Sequence, residues 1–150
     1  MQVRGFILVV VCALSLAAAS TLSGANGQED QGKAALEKRL QELLKERVKT
    51  AERARDAMQA SFEAETVTLI NLVDATNKLV EARLAVATTP AQEIDALEKH
   101  LELMQNTERK IKVRYDIGTR GGEAKEYATA QRERQSAEIA LTQARLKTKR

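Results

Sequence analysis

From residue 33 to residue 117 the chain has no glycine and a single proline, Pro90. The two residues that most strongly oppose helices are therefore almost absent from most of the molecule. Over the same stretch apolar residues recur three and four positions apart. The stripe runs Leu36, Leu40, Leu43, Leu44, Val48, Ala51, Met58, Phe62, then Leu69, Leu72, Leu79 and Val86. That is the period of an amphipathic helix, and no segment sustains the alternation of a strand. Two Phe, two Tyr and no Trp cannot fill a wide globular core. The pattern predicts an all-α fold of long antiparallel helical hairpins in a coiled-coil bundle, built on residues 33–150.

Three breaks divide it. Glu65-Thr66-Val67-Thr68 puts three β-branched residues in a row, which weakens a helix and predicts a turn near 65–68, with Thr68 as a fresh cap. Thr88-Thr89-Pro90 predicts a second break at 88–90, with Thr89 as N-cap. Gly118 and the glycines at 121 and 122 predict a third at 118–122. The helices expected are 33–64, 68–87, 91–117 and 123–147, the first two either separated by a tight turn or continuous through a kink, with the polar residues 28–32 as a flexible start. The third helix has the stripe Ile94, Leu97, Leu101, Met104, Ile111, Tyr115, with Glu108 at its one charged step. Glu108–Lys112 and Asp95–Lys99 are i,i+4 pairs in the favourable order. The last helix has the stripe Tyr127, Ala130, Arg134, Ala137, Leu141, Ala144.

Residues 1–27 read as a secretory signal peptide. Arg4 precedes an 11-residue apolar run from Phe6 to Leu16, and small residues follow. Cleavage fits after Ala19 or after Gly27, and the polar sequence begins after the later site. Left uncleaved, the run is short for a bilayer span. Without residues 1–27 the chain loses Cys12 and Arg4, leaving 23 basic and 21 acidic residues and a net charge of +2. It is expected to be extracytoplasmic, in the periplasm, yet it then carries no cysteine and so uses no disulfide. So weak a charge, split between basic ends and an acidic middle, argues against nucleic acid as a partner.

The inventory of reactive groups is short. His100 is the only histidine, which is too few ligands for a zinc or haem site, and a solvated helix position is expected for it. The glycines near 118 follow no strand and precede no Gly-Lys-Ser/Thr, so they make no phosphate loop. No cofactor, no metal and no enzymatic activity are expected, and the mature chain has no membrane span.

Self-comparison reveals a repeat of about 53–55 residues. Phe62 matches Tyr115, and Ala75 and Ala82 match Ala130 and Ala137. Each copy has an aromatic residue, an acid, a turn, and a helix with alanines seven apart. This resembles the TolC-type outer-membrane efflux protein family. The residues that carry the resemblance are Arg114, Tyr115, Gly118, Ala130, Gln131, Ala137, Glu138, Leu141, Ala144 and Arg145. In the first copy they are Phe62, Thr66, Leu69, Leu72, Asp74, Ala75, Ala82 and Arg83, with Glu65 where glycine would stand. The resemblance spans roughly residues 58–146. It implies a periplasmic helical hairpin whose tip meets another helical protein. The candidate tip is Arg114, Tyr115, Gly118 and Arg120, and its equivalent in the first copy is Phe62, Glu65 and Thr66. A complete family protomer is far longer and adds transmembrane strands, for which this chain has no alternating segments of about ten residues.

The function expected is therefore that of a cell-envelope helical scaffold or interaction protein, working by coiled-coil binding to itself or to another helical envelope protein. A periplasmic holdase-like chaperone and a truncated remnant of an outer-membrane efflux protein are the alternatives.

Overall fold

The computed structural model describes residues 26–118 and 123–149. Residues 1–25, which hold all but the last two positions of the expected signal peptide, and Arg120 of the expected tip lie outside them. Four helices account for nearly all of the described chain: α1 (Asn26–Glu63), α2 (Leu69–Val86), α3 (Pro90–Ile117) and α4 (Glu123–Thr148). The fold is all-α, with no strand among the described residues. Helix α1 starts earlier than expected, so the backbone of residues 28–32 is helical where the polar composition suggested a flexible start. Gly32 costs a helix only about 1 kcal/mol and no proline interrupts it, so polarity alone does not end the helix.

The breaks have local causes. At the end of α1 the Thr66 N–H donates to the Ser61 carbonyl at 2.9 Å and the Glu65 N–H to the Phe62 carbonyl at 3.1 Å. Those two bonds, with Glu65 at φ 59°, form a Schellman cap. Helix α2 begins at the N-cap Thr68, whose backbone N–H and hydroxyl both donate to the Asn71 carboxamide oxygen, at 3.2 and 2.6 Å. Helix α3 begins with Pro90 in its first turn, and the Thr89 hydroxyl accepts from the Gln92 N–H at 3.3 Å.

Ion pairs report the directions of the helices. Glu52 of α1 meets Arg83 of α2 at 2.9 Å. Glu98 and Glu108 of α3 meet Arg145 and Arg134 of α4 at 2.7 and 2.8 Å. Residue numbers rise along α3 as they fall along α4, so the two run antiparallel. Helix α2 is the shared element, packing against α1 on one side and α3 on the other, with a slighter contact to α4. The core is built from Phe62, Leu69, Leu72, Val73, Met104, Ile111, Ala130 and Ala137. A second cluster of Leu97, Leu141 and Ala144 lies toward the other end of α3 and α4. Four of the six positions expected to face inward on α4, Ala130, Ala137, Leu141 and Ala144, are buried. Alanine brings α4 close to its neighbours at the expense of area per residue. The buried hydroxyls of Thr76 and Thr107 donate to the carbonyls of Leu72 and Leu103 one turn earlier.

Two local expectations are corrected. His100 is 9% exposed, because it shares the α3 face of Leu97 and Met104 and so enters the interface. Glu108 does not pair with Lys112. It turns inward to Arg134, and Lys112 instead bonds Asp116 at 2.6 Å.

Helix α1 outruns its support. At about 1.5 Å per residue its 38 residues reach about 57 Å, against about 27 Å for the 18 residues of α2. The Glu52–Arg83 pair lies close to the C-terminal end of α2, so the part of α1 before about residue 45 passes beyond it. Leu36, Leu40 and Leu43 there are 73%, 54% and 46% exposed.

Candidate functional site

The turns after α1 and α3 lie at the same end of the molecule. Lys110 of α3 donates to the Glu63 carboxylate of α1, and the Arg114 guanidinium carbon stands 4.8 Å from the centre of the Phe62 ring. A guanidinium over an aromatic face is attracted by the ring quadrupole. The Lys110 and Gln59 hydrogen bonds to Glu63 hold its carboxyl below the usual range. Six of the seven candidate tip residues, Phe62, Glu65, Thr66, Arg114, Tyr115 and Gly118, thus cluster around two adjacent helix ends.

The matched aromatics have different surroundings. Phe62 is 3% exposed and belongs to the core. Tyr115 is 44% exposed, and its ring stacks on Tyr127 of α4, centroids 5.4 Å apart and planes 17° from parallel. Tyr127 was not among the tip residues expected. Its signal was its place as the first and only aromatic position of the α4 stripe. Thr66 turns its hydroxyl back to the Ser61 carbonyl at 3.0 Å and so serves the cap. Gly118 has φ 67° and donates its N–H to the Tyr115 carbonyl at 3.1 Å.

Charges that the stripes placed inward are satisfied within the chain. Arg134 bonds both Glu108 and Glu138, the latter at 2.6 Å, and Arg83 bonds Glu52. The His100 imidazole is held below its ordinary pKa of 6.5, chiefly by burial; Glu133 opposes that shift and Arg83 adds to it.

Among the described residues no group of three or more His, Cys, Asp or Glu is arranged to hold a metal ion. Among them, too, no helix is long and apolar enough to cross a membrane. What the arrangement offers chemically is surface: an aromatic and cationic end, and an apolar stripe along the first half of α1. Compared with protein-family models, with curated proteins and with solved structures, the chain matches none.

Proposed function

We propose that this protein is a secreted cell-envelope scaffold or interaction protein that acts by helix-to-helix binding, not catalysis, and that its α1–α2 and α3–α4 pairs are repeated hairpins of the kind found in the periplasmic part of TolC-type efflux proteins. The observation that carries it is the recurrence of one turn geometry. Phe62 and Tyr115 are 53 residues apart, and so are the left-handed residues Glu65 and Gly118 that follow each of them. Both turns lie at one end, where a partner helix would meet them together.

The test is a pull-down from envelope extracts with the wild-type chain and with Tyr115→Ala and Gly118→Ala. Loss of the same partner in both variants supports binding by the tip. Retention of every partner by both variants overturns it.

The holdase alternative draws on a different observation, the exposed leucines of α1, since an uncovered apolar stripe is what an unfolded client would bind. Suppression of aggregation of a denatured client protein separates the two, because a scaffold gives no such protection.

A further inference from the structure

The first half of α1 presents a spaced apolar face that its own chain leaves exposed. Leu36, Leu40 and Leu43 are separated by four and three residues, and Arg47 continues the row. Beyond it the row runs into an open groove of about 780 Å³ between α1 and α2, lined by Leu43, Arg47, Thr50 and Ala54 on the α1 side. Spacing of this kind is the a/d pattern of a two-helix interface, with Leu40 and Arg47 at a and Leu36 and Leu43 at d. The flanking positions next to the a residues are Arg39 and Glu46.

We propose that this face binds a second copy of the same chain, α1 against α1 in antiparallel orientation. The charges select both partner and direction. Antiparallel pairing about residues 41–42 sets Leu40 against the partner's Leu43, and Leu43 against the partner's Leu40. Leu36 then lies against the aliphatic stem of the partner's Arg47. In the same register Arg39 lies opposite the partner's Glu46, and Glu46 opposite the partner's Arg39, giving two symmetric ion pairs across the interface. Parallel pairing instead stacks Arg47 on the partner's Arg47 and leaves both flanking charges without an opposite. Within one chain Arg39 has only a 3.5 Å contact with Glu42, between side chains that are 65% and 53% exposed, so it is readily exchanged.

This inference rests on the proposed helix-binding function and names one partner for it. Light scattering of the full chain from about 1 µM to 1 mM is expected to show a monomer–dimer equilibrium. Glu46→Arg should weaken it on the order of tenfold, because two attractions become two repulsions. Arg39→Glu with Glu46→Arg should restore it. Leu40→Glu should abolish it. All these positions are exposed in the monomer, so circular dichroism should show the helices retained. Direction is read from a spin label at Lys33→Cys in a Cys12→Ser background. The antiparallel register holds the two labels about 25 Å apart along the axis, whereas parallel pairing brings them to about the 8–10 Å interaxial distance. A monomer at every concentration, a dimer indifferent to Glu46→Arg, no rescue by the double exchange, or labels at the short distance each overturns the proposal. A monomer that still holds a Tyr115-dependent partner sinks self-pairing alone. A charge-dependent dimer with no such partner sinks the tip-binding function alone.

Discussion

Glu65 and Gly118 have nearly the same backbone conformation 53 residues apart, φ 59° and 67°, and each donates its N–H to the carbonyl of the aromatic residue three positions earlier. Glycine adopts that conformation without penalty, whereas a side-chain-bearing residue is strained there by about 1–2 kcal/mol. Glu65→Gly is therefore expected to stabilise the protein by about 1 kcal/mol. Gly118→Ala is expected to destabilise it by about as much. No atom lies within 4 Å of a Cβ built at Gly118, so that cost is conformational and not a clash. Denaturant midpoints for both variants check the pair, and the same sign for both would refute it.

The matched aromatics should differ sharply in their contribution to stability. Phe62 is in the core beneath Arg114, so Phe62→Ala is expected to cost about 3–5 kcal/mol. Tyr115→Ala gives up one stacking contact on an exposed side chain, expected to cost about 0.5–1.5 kcal/mol. Equal losses in urea unfolding would contradict the difference in their burial.

The Glu108–Arg134 pair should behave as a half-buried bond. Its side chains are 17% and 26% exposed. Removing either charge alone, by Glu108→Leu or Arg134→Leu, leaves the other group poorly solvated and should cost about 1–3 kcal/mol. Replacing both together should cost much less than the two single losses combined. A double-mutant cycle measures the coupling, and simple additivity would show the pair to be energetically idle.

His100 makes stability sensitive to mild acid. Burial holds its folded pKa below 6.5, so below that pH the unfolded chain binds the proton more readily than the folded one. The stability linked to a neutral His100 is complete above 6.5 and is lost as pH falls through the lower folded value. His100→Leu should remove this part of the pH dependence while carboxylate titration remains. Unfolding of both proteins across about pH 7.5 to 5 tests it, and identical profiles would exclude the effect.

The starts of α2 and α3 were legible because their chemistry is local. Thr68, Thr89 and Pro90 each act within a turn of where they stand. So was the inward face of α4, since alanines seven apart stay on one side of a helix. The left-handed turn at Glu65 was not, because glutamate carries no preference for positive φ, and the repeat only hinted at it. The burial of His100 was not legible from its polarity; it follows from the helical face His100 shares with Leu97 and Met104. Glu108 and Arg134 were each legible as charges on an inward stripe, but their meeting depends on how α3 and α4 align. Nor did spacing reveal that Leu36, Leu40 and Leu43 stay uncovered. An apolar stripe shows which face seeks contact and not whether the chain supplies it.

The unsupported length of α1 also makes the molecule unequal in its resistance to proteases. A helix without tertiary contacts is marginal in water at this length, so its peptide bonds open far more often than those of the core. That stretch contains Lys33, Lys38, Arg39 and Lys45. Limited trypsin digestion should trim the chain there first and leave a resistant fragment containing α2, α3 and α4. Any protein that covers the leucines should delay the first cuts and leave the later ones unchanged.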